Sequence, residues 1–189
     1  MSILLVWLSG LVFALLHSLT ATNRCKRFFY HAGMQSHQYR LMYSLVGVLT
    51  TLIWIWFVLH LPDAQLYRTS GLVWWLLLAL QCLGAGIALA AFKPIDGAIF
   101  LGLRKADQSQ DPFIVSGIYR YIRHPMYSGM MIILLAMPVQ TINGFNLGLM
   151  ICMYFIIGSK FEEKRMRVEH PSYVQYQQEV PAFILKLTR

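Results

Sequence analysis

The chain has 189 residues, of which 57% are hydrophobic and only 13% are charged, a composition that excludes an ordinary soluble domain. Its 16 Lys and Arg residues outnumber 8 Asp and Glu residues, which gives a formal net charge of +8. The basic residues flank uncharged runs and form no separate basic domain, so nucleic acid is a poor candidate partner. They fit a membrane protein whose basic loops meet anionic lipid head groups.

Three uncharged runs predict the first three transmembrane helices. They are Met1–Asn23, Leu41–Leu61 and Thr69–Phe92, and each is longer than the roughly 20 apolar residues that a bilayer-spanning helix needs. The first run has no Lys or Arg ahead of its apolar stretch, so we expect a retained helix and not a signal peptide. The basic stretch Arg24–Arg40 is interpreted as a polar loop, and the connection Lys93–Asp111 as a short surface-lying segment.

A fourth uncharged run, His124–Ser159, is interrupted by the turn-forming sequence Pro138–Gly144. We expect a tight helical hairpin, whose first arm begins in the Arg-His-Pro loop and whose second arm runs on into Glu162 and Glu163. The predicted fold is therefore an all-α integral membrane protein with about five transmembrane helices. It is predicted to be one domain, 1–189, in which 1–92 carries three helices and 111–189 forms a core.

The distribution of Lys and Arg predicts the orientation in an inner or cell membrane. Only Arg68 lies in the connection after the second helix, and no Lys or Arg lies in the hairpin turn. The other basic residues fall in 24–40, in 93–123 or from 160 onward. By the positive-inside rule these three regions are cytoplasmic, the N-terminus is outside, and the C-terminus is in the cytoplasm.

The stretch Gly117–Gly129 packs arginines, a histidine and tyrosines against the start of an uncharged run. Pro125 suits the first turn of a helix, and His124, as the residue before a proline, is pushed towards extended geometry. The free N–H groups of that first turn form a possible anion site on the cytoplasmic side. A basic interfacial anchor with an aromatic belt is the alternative interpretation.

The adjacent acids Glu162 and Glu163 also have two interpretations. Spacing allows surface ion pairs of Glu162 with Arg165 and of Glu163 with Arg167, whereas two acids at a membrane helix end can also hold hydroxyl or amino groups of a ligand.

Farther on, Ser172 and Gln175 predict a capping box for a last helix that ends before Pro181 and presents Tyr173, Tyr176 and Val180 on one face.

Other features favour structural roles. His17 lies near the cytoplasmic end of the first helix, where it is either a functional group or satisfied by a neighbouring Ser or carbonyl. Small residues at 84/88 and 86/90 predict close helix packing. The cysteines have no metal-binding spacing, and no metal site is expected.

Taken together, the motifs at 117–129, 162–163 and 173–181 resemble the isoprenylcysteine carboxyl methyltransferase and phospholipid methyltransferase superfamily. The segments 16–19 and 95–104 are similar to the branch that contains methanethiol S-methyltransferases, nurim and NnrU proteins. That branch usually has a His and an acidic residue where this chain has Gly97 and Ala98, so the methyl acceptor stays open.

The resemblance implies an S-adenosylmethionine-dependent methyltransferase with a cytoplasmic cofactor pocket and a small or lipophilic acceptor, a thiol or a prenylcysteine-type carboxyl. Because a thiolate or carboxylate needs no strong base, alignment and exclusion of water are the expected contributions, with an electrostatic role for Arg123. A non-catalytic nurim- or NnrU-like protein and a sterol-reductase-like NADPH enzyme are the alternatives. The implied cofactor-binding residues are Asp111, Pro112, Phe113, Ile114, Tyr119, His124, Pro125, Met126, Tyr127 and Glu162.

Overall fold

A computed structural model of the chain describes residues 1–105 and 113–183. In chain order they form α1 (Ser2–Ala21), α2 (Asn23–His31), α3 (Ser36–Leu59), β1 (Gln65–Arg68), α4 (Gly71–Phe92), α5 (Gly97–Leu101), a 3₁₀ turn (Gly117–Arg120), α6 (Pro125–Leu135), β2 (Val139–Thr141), α7 (Ile142–Glu169) and α8 (Tyr173–Glu179). These elements fall into two compact units. The first holds Met1–Ala64 and the segment from Asp96, and the second holds Gln65–Ile95 and the described residues from Phe113 onward. A single-domain organisation stays a prediction.

Four of the described helices, α1, α3, α4 and α7, are long and apolar enough to cross a membrane. They confirm the prediction of an all-α integral membrane protein. The other apolar helix, α6, has 11 residues, which is about 16 Å and roughly half the hydrocarbon thickness of a bilayer. The fifth crossing therefore stays a prediction.

In the first unit, the stretch Arg24–Arg40 is largely helical, so its interpretation as a polar loop is wrong. The Thr22 hydroxyl caps α2 by accepting from the Cys25 N–H at 3.3 Å. Gln35 and Gln38 then form a capping box that starts α3. Side-chain caps at both starts explain why a basic sequence folds into two helices here.

Polar side chains of α1 are satisfied within the first unit by partners on α3. The hydroxyl of Tyr43 and Nε2 of His17 lie 2.7 Å apart, and Trp54 Nε1 donates to the Ser9 hydroxyl at 3.1 Å. His17 thus has a protein partner, as the structural interpretation required, although the partner is a tyrosine and not a Ser or a carbonyl.

The segment after α4 contains α5, which is capped by Asp96 and ends at Gly102 with a φ of +81°. A Cβ at Gly102 would lie 2.4 Å from the Leu41 nitrogen and 2.5 Å from the His37 oxygen. Only glycine therefore satisfies both the positive φ and the close approach to the backbone of α3.

In the second unit, α4 and α6 approach each other closely at two glycines. A Cβ at Gly84 would lie 2.7 Å from the Gly129 oxygen, and a Cβ at Gly129 would lie 2.4 Å from the Gly84 oxygen. The predicted packing through Gly84 and Ala88 is confirmed, whereas a Cβ at Gly86 would meet nothing within 4 Å. Gly129 ends the Arg-His-Pro stretch, so this contact fixes the start of α6 against α4.

The predicted interruption between the hairpin arms is an extended segment with its own pairing. Strand β2 pairs antiparallel with β1, with Gln65 opposite Thr141 and Arg68 opposite Val139. The Thr141 hydroxyl then accepts from the Gly144 N–H at 3.1 Å and caps α7. The helical hairpin is confirmed, since α6 begins at Pro125 and α7 runs through Glu162 and Glu163.

Candidate functional site

The candidate site lies in the second unit, where the start of α6 meets the last turns of α7. His124 is the N-cap of α6, with φ −120° and ψ 60°, and Pro125 is its first helical residue. Both positions agree with the sequence prediction, because proline fixes its own φ and excludes the helical conformation from the residue before it. The polar loop thus ends with the imidazole pointing towards α7.

Glu163 is the buried acid of the site and is fully engaged by protein donors. Its Oε1 accepts from Arg123 Nε at 2.8 Å, from a terminal Arg123 nitrogen at 2.7 Å, and from His124 Nε2 at 3.0 Å. Its Oε2 accepts from Gln177 Nε2 at 2.8 Å. The side chains of Glu163 and Arg123 are 12% and 9% exposed, so this is a buried ion pair with its remaining acceptor capacity satisfied.

The predicted surface ion pair between Glu163 and Arg167 is therefore wrong. On this part of α7 the structure pairs Arg165 with Glu169 instead, at 3.8 Å, with both side chains nearly half exposed. The i,i+4 spacing allowed the Arg167 pair, but it could not show that Glu163 faces a buried arginine 40 positions earlier in the chain.

Glu162 is the accessible acid, with a side chain 38% exposed. Its Oε2 accepts from the Tyr127 hydroxyl at 3.0 Å and lies 4.0 Å from His124 Nδ1. Within residues 1–105 and 113–183, no hydrogen bond reaches its other oxygen, Oε1. Glu162 can therefore accept hydrogen bonds from a bound molecule, whereas Glu163 has no oxygen left to offer.

The ring of Tyr127 stacks on two other rings. Its centroid lies 5.4 Å from that of His124 with planes 5° apart, and 4.8 Å from that of Phe155 with planes 9° apart. These two stacking contacts restrict rotation of the Tyr127 ring, so its hydroxyl stays directed at Glu162.

The residues that follow α8, which we call the C-terminal strap (Val180–Phe183), are bound to the start of α6. The Arg123 N–H donates to the Pro181 oxygen at 2.9 Å, and the His124 N–H donates to the Ala182 oxygen at 3.0 Å. The guanidinium of Arg123 also donates to the oxygens of Gln177, at 2.9 Å, and of Val180. Sequence reasoning missed this pairing, since no local pattern indicates it.

An aromatic cluster joins α8 to the start of the core. The ring of Phe113 lies 5.4 Å from Tyr173 and 5.1 Å from Tyr176, and the Tyr176 hydroxyl donates to the Tyr119 oxygen at 2.6 Å. Burial and the Glu163 carboxylate raise the pKa of Tyr173 to about 12. Burial and the Glu162 carboxylate raise the pKa of the Tyr119 phenol. Both phenols therefore stay neutral hydrogen-bond donors at physiological pH.

The last helix confirms part of its prediction. α8 ends before Pro181, and Tyr173 and Val180 are buried as expected. The capping box is wrong, because the Ser172 side chain makes no capping bond and the Gln175 amide donates to Glu179 at 2.9 Å. A side-chain partner four residues along the helix has displaced the N-terminal one.

A family model described as NnrU protein matches residues 5–172 of the chain. The chain belongs to the NnrU family. It is also similar to methanethiol S-methyltransferase 2 of Bradyrhizobium diazoefficiens, with 30% identity over 93% of this chain and 70% of the relative. Methanethiol S-methyltransferases of Pseudomonas deceptionensis and Crocosphaera subtropica are 28% and 26% identical, covering 94% and 92% of this chain and 71% of each relative. No solved structure matches the chain.

In this NnrU family member, the described candidate residues fall into two groups. His124, Tyr127 and Glu162 are in mutual contact, with Pro125 and Met126 between the first two along the chain. Tyr119 and Phe113 form the second group, since both contact Tyr176 of α8, and Ile114 is half-buried and follows Phe113 in the chain. Asp111 and Pro112 lie outside the described residues. The ligand-binding roles of all these residues stay predictions.

The structure bonds the guanidinium of Arg123, the residue expected to act electrostatically, to protein acceptors at all three of its nitrogens. These contacts favour a role in holding α7, α8 and the C-terminal strap together. A role in the reaction itself stays a prediction.

Proposed function

We propose that this NnrU family member is an integral membrane methyltransferase with S-adenosylmethionine as methyl donor and a small or lipophilic thiol as acceptor. The observation that carries the proposal is the difference between two adjacent acids. Glu163 is buried and hydrogen-bonded within the protein, whereas Glu162 is accessible. The names of the relatives, methanethiol S-methyltransferases from three bacteria, support the reaction class and the thiol acceptor.

The residues around Glu162 fit such a donor. A carboxylate with an available oxygen suits the ribose hydroxyls or the ammonium group of S-adenosylmethionine through charge-assisted hydrogen bonds. The neighbouring aromatic rings of His124, Tyr127 and Tyr119 suit its adenine and its positive charge. When bound, the donor supplies an activated methyl group on a sulfonium.

The chain's own contribution would be alignment and a dry environment. Tyr127 orients the Glu162 carboxylate by donating to Oε2, and its own ring stacks on that of Phe155. A thiolate attacks a methyl group without help from a strong base, so positioning two reactants supplies most of the gain. Exclusion of water then strengthens the thiolate as a nucleophile.

Replacing Glu162 with alanine is expected to weaken S-adenosylmethionine binding by about ten- to a hundredfold, because a charge-assisted hydrogen bond is worth about 1.5–3 kcal/mol. The measurement is calorimetric titration of the purified protein in detergent, followed by transfer of labelled methyl to methanethiol. Glu169→Ala is the matched control, since Glu169 is an acid of the same helix paired only on the surface.

Three outcomes of this titration would contradict the proposal. Equal affinity in Glu162→Ala and wild type would move ligand binding away from Glu162. Binding of NADPH without S-adenosylmethionine would favour the reductase alternative, and binding of neither would favour a non-catalytic protein.

We also propose that the C-terminus, and with it the site, lies in the cytoplasm, because the basic residues concentrate in 24–40, in 93–123 and from 160 onward. A reporter enzyme that is active only in the cytoplasm, fused after the last residue, is expected to be active. A second fusion in the connection between α3 and β1 is the control and should be inactive. The reverse pattern would remove the site from the compartment that holds S-adenosylmethionine.

A further inference from the structure

We propose that Glu163 is a positioning residue for the ligand carboxylate Glu162, acting through His124 and Tyr127. This inference rests on the proposed function, since it concerns how the same site is held ready for its donor. Glu163 does not touch Glu162's open oxygen, and its own oxygens are engaged by Arg123, His124 and Gln177. Its influence therefore has to pass through one of these partners.

The first step is the hydrogen bond between Glu163 and His124. An ionised carboxylate accepts hydrogen bonds and cannot donate them, so Nε2 of His124 carries the proton in the 3.0 Å contact with Oε1. Which imidazole nitrogen is protonated is set by the partner of the other. Glu163 thereby fixes both the tautomer and the orientation of the ring, and leaves Nδ1 on the side of Glu162.

The second step is the stack of three rings. The planes of the His124 and Tyr127 rings are 5° apart, and those of the Tyr127 and Phe155 rings are 9° apart. These stacking contacts direct the Tyr127 hydroxyl at Oε2 of Glu162. If His124 lost its hydrogen bond to Glu163, only ring contacts with Tyr127 and Phe183 would hold the imidazole. The Tyr127 ring would then lose its fixed neighbour, and the carboxylate of Glu162 would lose its fixed donor.

The third step is the rigidity of Glu163 itself. Arg123 binds it through two nitrogens and is held in turn by the oxygens of Gln177 and Val180. Glu163 is thus fixed by groups from α8 and the C-terminal strap, whereas Glu162 has Tyr127 as its hydrogen-bonded protein partner. A rigidly held Glu163 beside an accessible Glu162 is the arrangement expected when one residue positions another that binds a ligand.

The test compares two double variants that differ in whether residue 163 offers a hydrogen-bond acceptor to His124 and Gln177. Arg123→Met/Glu163→Gln keeps an oxygen at position 163, whereas Arg123→Met/Glu163→Met removes it. Both lack the buried arginine, so neither leaves an unpaired buried charge. The Met variant also removes the acceptor of Gln177, which affects stability and does not set the tautomer of His124. Ligand-free ¹⁵N spectra of the histidine rings report the tautomer, with the His124 signals identified by their loss in His124→Asn.

We expect the Nε2-protonated tautomer of His124 in the wild type and in the Gln variant, and a mixture in the Met variant. The Met variant should bind S-adenosylmethionine about tenfold more weakly than the Gln variant, the equivalent of one hydrogen bond. Tyr127→Phe should weaken binding in the Gln background and have no further effect in the Met background, because the two changes act on one pathway.

Several results would overturn the inference. These are an Nδ1-protonated His124 in the wild type, identical tautomers in the two double variants, or equal donor affinities of the two variants. A wild type that binds no S-adenosylmethionine overturns the proposed function instead, and the ring spectra, which need no ligand, still decide whether Glu163 anchors His124.

Discussion

Glu163→Ala is expected to lower the stability of the folded protein by about 3–5 kcal/mol, the usual cost of removing one partner from a buried ion pair. The substitution leaves the guanidinium of Arg123 buried at 9% exposure without its carboxylate, and His124 without its acceptor. Thermal unfolding in detergent, followed by circular dichroism, measures the loss as a fall in melting temperature.

Glu169→Ala is the control on the same helix. Its partner Arg165 lies 3.8 Å away with 45% of its side chain exposed, so this change is expected to cost less than about 1 kcal/mol. Similar melting temperatures for the Glu163 and Glu169 variants would contradict the buried ion pair. They would favour the surface pair with Arg167 that the sequence spacing had suggested.

Gly129→Ala is expected to destabilise the second unit by at least about 1–3 kcal/mol through overpacking. The added Cβ would lie 2.4 Å from the Gly84 oxygen and 2.7 Å from the Ala88 nitrogen. Both atoms belong to the backbone of α4, so no side-chain rotation relieves the clash and the two helices must separate. The same thermal unfolding experiment measures the effect.

Gly86→Ala tests whether the loss comes from contact and not from glycine as such. A Cβ at Gly86 meets nothing within 4 Å, and alanine is the better helix former, so this variant should be as stable as the wild type or slightly more so. Equal melting temperatures of the Gly129→Ala and Gly86→Ala variants would show that α4 and α6 are not in backbone contact.

The length of uncharged runs was enough to predict four membrane helices, and the turn-forming sequence Pro138–Gly144 was enough to predict the hairpin. α1, α3, α4 and α7 each contain an apolar window of bilayer length, and the start of α6 at Pro125 follows from the covalent geometry of proline. These signals are local, because each depends on neighbouring residues only.

Contacts between distant segments could not be predicted. The pairing of β1 with β2 depends on strands more than 70 positions apart, and neither has a strand pattern long enough to recognise. The helical content around Arg24–Arg40 was missed because basic composition outweighed the capping by Thr22 and Gln35.

Within the candidate site, the family resemblance placed His124, Tyr127 and Glu162 in one site, and the structure brings these three together, but no sequence pattern indicated which acid is buried. Local spacing offered Arg165 and Arg167 as partners of Glu162 and Glu163, whereas the structure gives Glu163 a partner, Arg123, from the far side of the hairpin. The choice of Glu162 as the ligand-binding acid came from its motif position, and its exposure supports that choice.

The different environments of Glu162 and Glu163 also make the site sensitive to the register of α7. Successive residues of an α-helix point about 100° apart, so shifting the helix by one residue brings a different residue into each of the two environments. A one-residue deletion upstream would present Glu163 to the ligand and bring Lys164 against the buried Arg123. A one-residue insertion would keep an acid opposite Arg123 but present Phe161 to the ligand. Under the proposed function, a single added residue would thus keep an acid opposite Arg123 and remove the acid that faces the ligand.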